Sequence, residues 1–116
     1  MLIYLVIYLQ LIRGILNMKI ECLNNESDLI IKVAGSINTQ TAPDFEKEIM
    51  PLIDENIKTI HLDFMNLDYI SSAGLRVILL ITKKIHGEDV IVIENVKDNI
   101  KEVFEMTGFT SFIKVL

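Results

Sequence analysis

The stretch Ile70-Ser71-Ser72-Ala73-Gly74-Leu75-Arg76 stands where a strand-and-loop pattern gives way to a helical one. Upstream, Thr59-Ile60-His61-Leu62-Asp63-Phe64 reads as a strand, and Asn66-Leu67-Asp68 is turn-prone. Downstream, Leu75, Ile78, Leu79 and Thr82 recur at helical spacing and leave Arg76 and Lys83 to the outer face. The first turn of such a helix carries unpaired N–H groups and the positive end of the macrodipole, so a phosphate on Ser71 or Ser72 is tolerated there. Serine is also a preferred helix N-cap, and capping accounts for one of the pair without any regulation. It leaves the second serine unassigned. Gly74, inside the first turn, costs about 1 kcal/mol relative to alanine, which points to a close approach at that position.

Asp63, the run Tyr69 to Leu79 and the earlier segment Gly35-Ser36-Ile37-Asn38-Thr39-Gln40-Thr41-Ala42 together resemble the STAS domain of anti-sigma factor antagonists. Val103-Phe104-Glu105-Met106-Thr107-Gly108-Phe109 is similar to that family's last helix and its glycine stop, so the resemblance runs from Met18 to Leu116. It implies that the phosphoacceptor is the serine two residues before the motif glycine, here Ser72. Ser71 then occupies a place where the best-known members carry an aspartate. The resemblance also implies a partner face built from the Gly35 to Ala42 loop and the serine-bearing helix. Asn38, Thr39, Ser71, Ala73, Gly74 and Arg76 are its contact residues here. Asn38 stands where an aspartate is often found; the asparagine keeps hydrogen-bonding capacity without the charge. The implied partners are an ATP-using anti-sigma factor serine kinase and a serine phosphatase. The unmodified form binds the kinase and so frees a sigma factor, the phosphorylated form does not, and no cofactor is required.

Composition sets the frame. With 116 residues, 51% of them hydrophobic, the chain has room for one domain and one core. Its net charge of −5, from 16 acidic and 11 basic residues without a basic block, lacks the footprint of a nucleic-acid binder. The single cysteine, Cys22, cannot form an internal disulfide and reads as a small apolar strand residue, and no Cys or His cluster has metal-ligand spacing. Residues 1–17 differ from the rest. Their apolar run is shorter than the roughly 20 residues of a membrane span, no basic residue precedes it, and no small-residue cleavage site follows. Arg13 is too little charge for an interfacial anchor. We therefore expect Met18 to be the natural start and residues 1–17 to be an upstream extension, with the protein cytoplasmic and no membrane partner.

From Met18 onward, Lys19 to Leu23 and Leu29 to Ala34 flank the polar cluster Asn24-Asn25-Glu26-Ser27-Asp28, which predicts a hairpin. A helix is expected from near Thr41. Thr41 and Asp44 resemble a capping box, Pro43 suits the first turn, and Phe45, Ile49, Leu52 and Ile53 form a stripe that Pro51 should break. The strand Thr59 to Phe64, the serine helix ending near His86-Gly87, a strand Val90 to Ile93, a helix Asp98 to Met106 stopped by Gly108, and a short strand Phe112 to Val115 complete the pattern. The expected fold is α/β: a single domain at residues 18–116, with a mixed sheet of four to five strands and amphipathic helices packed on it.

Two rival readings remain at this level. An enzyme would need a base for Ser72, and only His61, in an apolar strand, and His86, at a helix end, are present; the serine also lacks a G-x-S-x-G setting. Asp63 reads as a loop organiser and Asp68 as a turn residue. The other rival uses the same domain as a scaffold, or as an accessory subunit of a signalling complex or membrane transport system, which fold alone does not separate. Met65, Tyr69 and Ile70 are either a contact patch or packed under the loop, the second reading being preferred. Met106 and Phe109 read as core and cap contacts, and Lys83, Lys84, Lys97 and Lys101 as solvated charges.

Overall fold

The computed structural model describes residues 18–85 and 89–116. The expected extension over residues 1–17 and the expected helix end at His86-Gly87 lie outside the described residues. The hairpin forms as anticipated: β1 (Met18–Asn25) and β2 (Asp28–Ile37) pair antiparallel across a tight turn in which Glu26 adopts a left-handed φ of 56°. β3 (Thr59–Asp63), β4 (Leu67–Ile70), β5 (Val90–Glu94) and β6 (Lys114–Val115) follow. The sheet runs β1-β2-β3-β5-β6, with all pairings after the hairpin parallel, and β4 pairs with β2 beyond the end of β3.

The α-helices among the described residues are α1 (Ala42–Ile49), α2 (Ser72–Lys84) and α3 (Asp98–Met106). As Pro51 required, α1 stops at Ile49 and gives way to a 3-10 turn, Met50–Leu52. α3 ends before Gly108, whose φ of 82° supplies the left-handed turn that stops it.

Alternation along the strands sends Leu29, Ile31, Val33 and Ile37 of β2, Ile60 and Leu62 of β3, and Ile91 and Ile93 of β5 into one core with Phe45, Ile78 and Phe104 of the three helices. The opposite strand positions, such as Ile30, Lys32 and His61, are half-buried or exposed, so helices cover one face of the sheet and leave the other uncovered.

Six strands are present among the described residues, where four to five are expected, and the difference is β4. Asn66-Leu67-Asp68 is turn-prone by composition, yet Leu67 is fully buried and opens a strand that continues the line of β3 along β2. The break between them, residues 64–66, spans the gap between the pairs Lys32–Asp63 and Gly35–Leu67, and the register shifts once more between Gly35 and Ser36; Gly35 has a φ of 91°, and its N–H donates to the Asn66 carbonyl at 2.8 Å.

Other expectations are also corrected. The buried side of α2 is Gly74, Val77, Ile78 and Ile81, so of the expected stripe Leu75, Ile78, Leu79 and Thr82 only Ile78 points to the centre of the core. Met65 and Tyr69 do not tuck in: they are 57% and 53% exposed, whereas Ile70 is buried. Met106 is 80% exposed and is no core contact, while Phe109 packs edge-on against Phe104 as anticipated. Cys22 lies in β1 but is exposed. Asp68, in β4 and not in a turn, is ion-paired with Lys97, which is therefore not simply solvated.

Candidate functional site

β2 and β4 end side by side, with Ile37 opposite Ile70 in a parallel register. The next residues are Asn38 on one strand and Ser71 on the other. Two links hold the ends together: the Ser71 N–H donates to the Ile37 carbonyl at 2.8 Å, and Gly74 sits on both isoleucines. A Cβ at position 74 would stand 2.7 Å from Ile37 Cγ2 and 2.7 Å from Ile70 Cγ1, so glycine is required by the approach of side chains from the sheet. The resemblance placed the two segments on one face, and the register brings them to the same end of the sheet.

The two serines divide the work that the sequence left open between them. Ser71 is the N-cap of α2: its backbone is extended, and its Oγ accepts the Gly74 N–H at 3.3 Å. Ser72 is the first helical residue, is exposed, and its hydroxyl makes no hydrogen bond among the described residues. The first turn contains no acidic residue, so nothing on it repels an added anion at Ser72. Ala73 is half-buried, and Arg76 is exposed one turn on.

The neighbouring loop is built around two side chains. Asn38 Oδ1 accepts the N–H of Gln40 at 2.9 Å and that of Thr41 at 3.0 Å, which makes the half-buried asparagine a loop organiser. Thr41, 1% exposed, accepts the Asn38 N–H at 2.8 Å and donates to the Ser36 carbonyl at 2.8 Å. It makes no side-chain cap bond, so the expected capping box is replaced by these bonds back to β2. Sequence reasoning missed Thr41 as the buried anchor, because its hydroxyl bonds backwards along the chain. Thr39, at the loop tip, is exposed.

The remaining polar candidates are occupied elsewhere. Asp63 Oδ1 accepts the Met65 N–H at 3.0 Å and an Asn95 amide N–H at 3.1 Å, the loop-organising role anticipated for it. His61 Nδ1 lies 2.6 Å from Glu94 Oε1, on the uncovered sheet face, whereas Ser72 opens a helix that packs on the other. No group of three His, Cys, Asp or Glu side chains among the described residues is close enough to hold a metal ion. No helix among them is long and apolar enough to cross a membrane.

Comparison with known proteins agrees with this geometry. The STAS domain family model matches residues 19–116. BtrV of Bordetella bronchiseptica, a candidate anti-sigma factor antagonist, is 40% identical over 90 residues, covering 75% of this chain and 76% of that protein. The anti-sigma-B factor antagonist of Staphylococcus epidermidis is 26% identical over 101 residues, covering 86% of this chain and 94% of that one. The crystal structure of an anti-sigma factor antagonist from Mycobacterium paratuberculosis superposes with a TM-score of 0.74 at 17% identity, covering 84% of each chain, and so shares the fold. A mixed sheet with one helical layer, an interrupted strand leading into an S-S-A-G-L helix start, and this set of relatives make the chain a member of the STAS domain family, among the anti-sigma factor antagonists.

Proposed function

We propose that this protein is the phosphorylation-controlled docking partner of an anti-sigma factor serine kinase, which it binds in its unmodified form and thereby frees a sigma factor. The observation that carries this reading is the position of Ser72: an uncovered, unbonded hydroxyl at the start of a helix whose packing is fixed from below, beside the Asn38 to Thr41 loop. It is supported by the match of Ser72 to the family's phosphoacceptor position and by the relatives' description as anti-sigma factor antagonists.

In this mechanism Asn38, Thr39, Ser71, Ala73, Gly74 and Arg76 form or support the contact face. Asn38, Ser71 and Gly74 act by fixing the backbone, while Thr39, Ala73 and Arg76 present surface. The kinase transfers the γ-phosphoryl group of ATP to the Ser72 oxygen, releasing ADP and the hydroxyl proton, and a serine phosphatase hydrolyses the phosphate ester to serine and inorganic phosphate. The modification adds roughly −1.5 to −2 charge where a partner would press. Burying that charge without a counterion costs several kcal/mol, and about 4 kcal/mol is already a thousandfold in affinity. The domain does not need to refold for binding to be lost. It performs no catalysis of its own and works in the cytoplasm, where kinase, ATP and sigma factor meet.

The test is incubation with the cell's anti-sigma kinases and ATP, with the phosphate mapped by mass spectrometry, followed by a pull-down of wild type, Ser72→Ala and Ser72→Asp. Label confined to Ser72 and loss of the kinase from the aspartate variant alone are the expected results. Label that persists in Ser72→Ala, or equal recovery by all three forms, overturns the proposal.

A further inference from the structure

Arg76 is exposed on α2 and makes neither a hydrogen bond nor an ion pair among the described residues. It follows Ser72 by four positions within one uninterrupted helix, Ser72–Lys84. Residues so spaced lie on the same face with Cβ atoms about 5 to 6 Å apart, and helical side chains lean toward the N-terminus, which carries the guanidinium over the turn that holds Ser72. The charged residues on elements packed against α2 are Asp44, Glu46, Lys47 and Glu48 of α1, Asp28 and Lys32 of β2, which meets α2 at Ile37, and Asp68 of β4, the last of these ion-paired with Lys97. None of them lies on the first turn of α2.

We infer that Arg76 is the internal receptor for the Ser72 phosphate: once Ser72 is phosphorylated, the guanidinium folds back and pairs with the phosphate in the same helix. The inference rests on the reading of Ser72 as phosphoacceptor and adds a second action to it. The modification places an anion on the contact face and also withdraws a cation from it, so a partner that met Arg76 with an acidic group loses that contact. A guanidinium presents two parallel N–H donors to phosphate oxygens, which suits this role better than an ammonium.

The test places phosphoserine at position 72 by genetic encoding, so that it does not depend on any kinase. The 31P resonance is then titrated in the full chain for wild type, Arg76→Gln and Arg76→Lys. The helix N-terminus is common to all three, and the difference between them isolates the side chain. A phosphate free of side-chain partners has its second pKa near 6. Wild type is expected to titrate about 0.2 to 0.4 of a pH unit below Arg76→Gln, the size an i,i+4 ion pair on a helix supports, with Arg76→Lys between them. The gap should close at high salt. Identical titrations for wild type and Arg76→Gln overturn the inference while leaving phosphorylation of Ser72 standing. Failure of every kinase to label Ser72, by contrast, overturns the proposed switch without altering this measurement.

Discussion

At the scale of single residues, Gly74 carries the tightest constraint near the serines. Alanine there gains about 1 kcal/mol of helix propensity, but its methyl would stand 2.7 Å from carbons of two buried, branched side chains, Ile37 and Ile70. Overpacking of this kind costs about 1 to 3 kcal/mol, so Gly74→Ala is expected to lower the urea midpoint despite its propensity gain. An unchanged midpoint would mean that α2 lifts freely off the sheet. Cys22 offers a second residue-level test. Although the residue is exposed, partial burial of its thiol first, and the negative charge of Glu48 second, raise the thiol above the ordinary value. Less thiolate is then present at neutral pH, so iodoacetamide should modify it more slowly than a free peptide thiol, and the gap should narrow as the pH climbs past the raised value. The sequence offered little warning of this. Cys22 pairs with buried Ile31 across the hairpin, on the helix side of the sheet, yet sits on the outermost strand and is exposed.

At the scale of elements, legibility followed how far a local pattern was tied to one face. α3 was read to its observed ends, Asp98–Met106, because its apolar stripe is clean and a left-handed glycine stops it. The stop of α1 before Pro51 was legible for an equally local reason. α2 was placed correctly but of its expected stripe only Ile78 is on the buried side, because Leu75 to Ile81 is almost continuously apolar and periodicity cannot choose a face. The choice is made by Gly74, through its approach to Ile70 at the end of β4 and to Ile37 of β2, the second of which is remote in sequence. β4 was missed because its two buried residues, Leu67 and Ile70, stand three apart and break the alternation of a strand. In the connection from β2 to α1, the structural weight falls on Thr41. Thr41→Val keeps the shape but leaves the Ser36 carbonyl and the Asn38 N–H without their partner. A loss of about 1 to 3 kcal/mol in chemical denaturation, with an unchanged m-value, is expected.

At the scale of the whole molecule, a core among the described residues joins α1, α2 and α3 to the sheet, and Ser72 lies outside it. Charge at position 72 should therefore leave the fold as it is. Ser72→Asp is expected to unfold within about 0.5 kcal/mol of wild type, and amide shifts in its NMR spectrum should cluster at the start of α2 and the Asn38 loop. Shifts spread through β5 and α3 would instead indicate that a negative charge there works by remodelling the domain. The same architecture has a practical corollary, which follows from the bond between the Ser71 N–H and the Ile37 carbonyl. The surface around the hydroxyl is assembled from two stretches separated by more than thirty residues of chain, each held in shape by the other. It is a discontinuous epitope. A synthetic peptide copying the serine motif would reproduce the letters and not the relief, and antibodies raised against such a peptide would report on denatured protein better than on native.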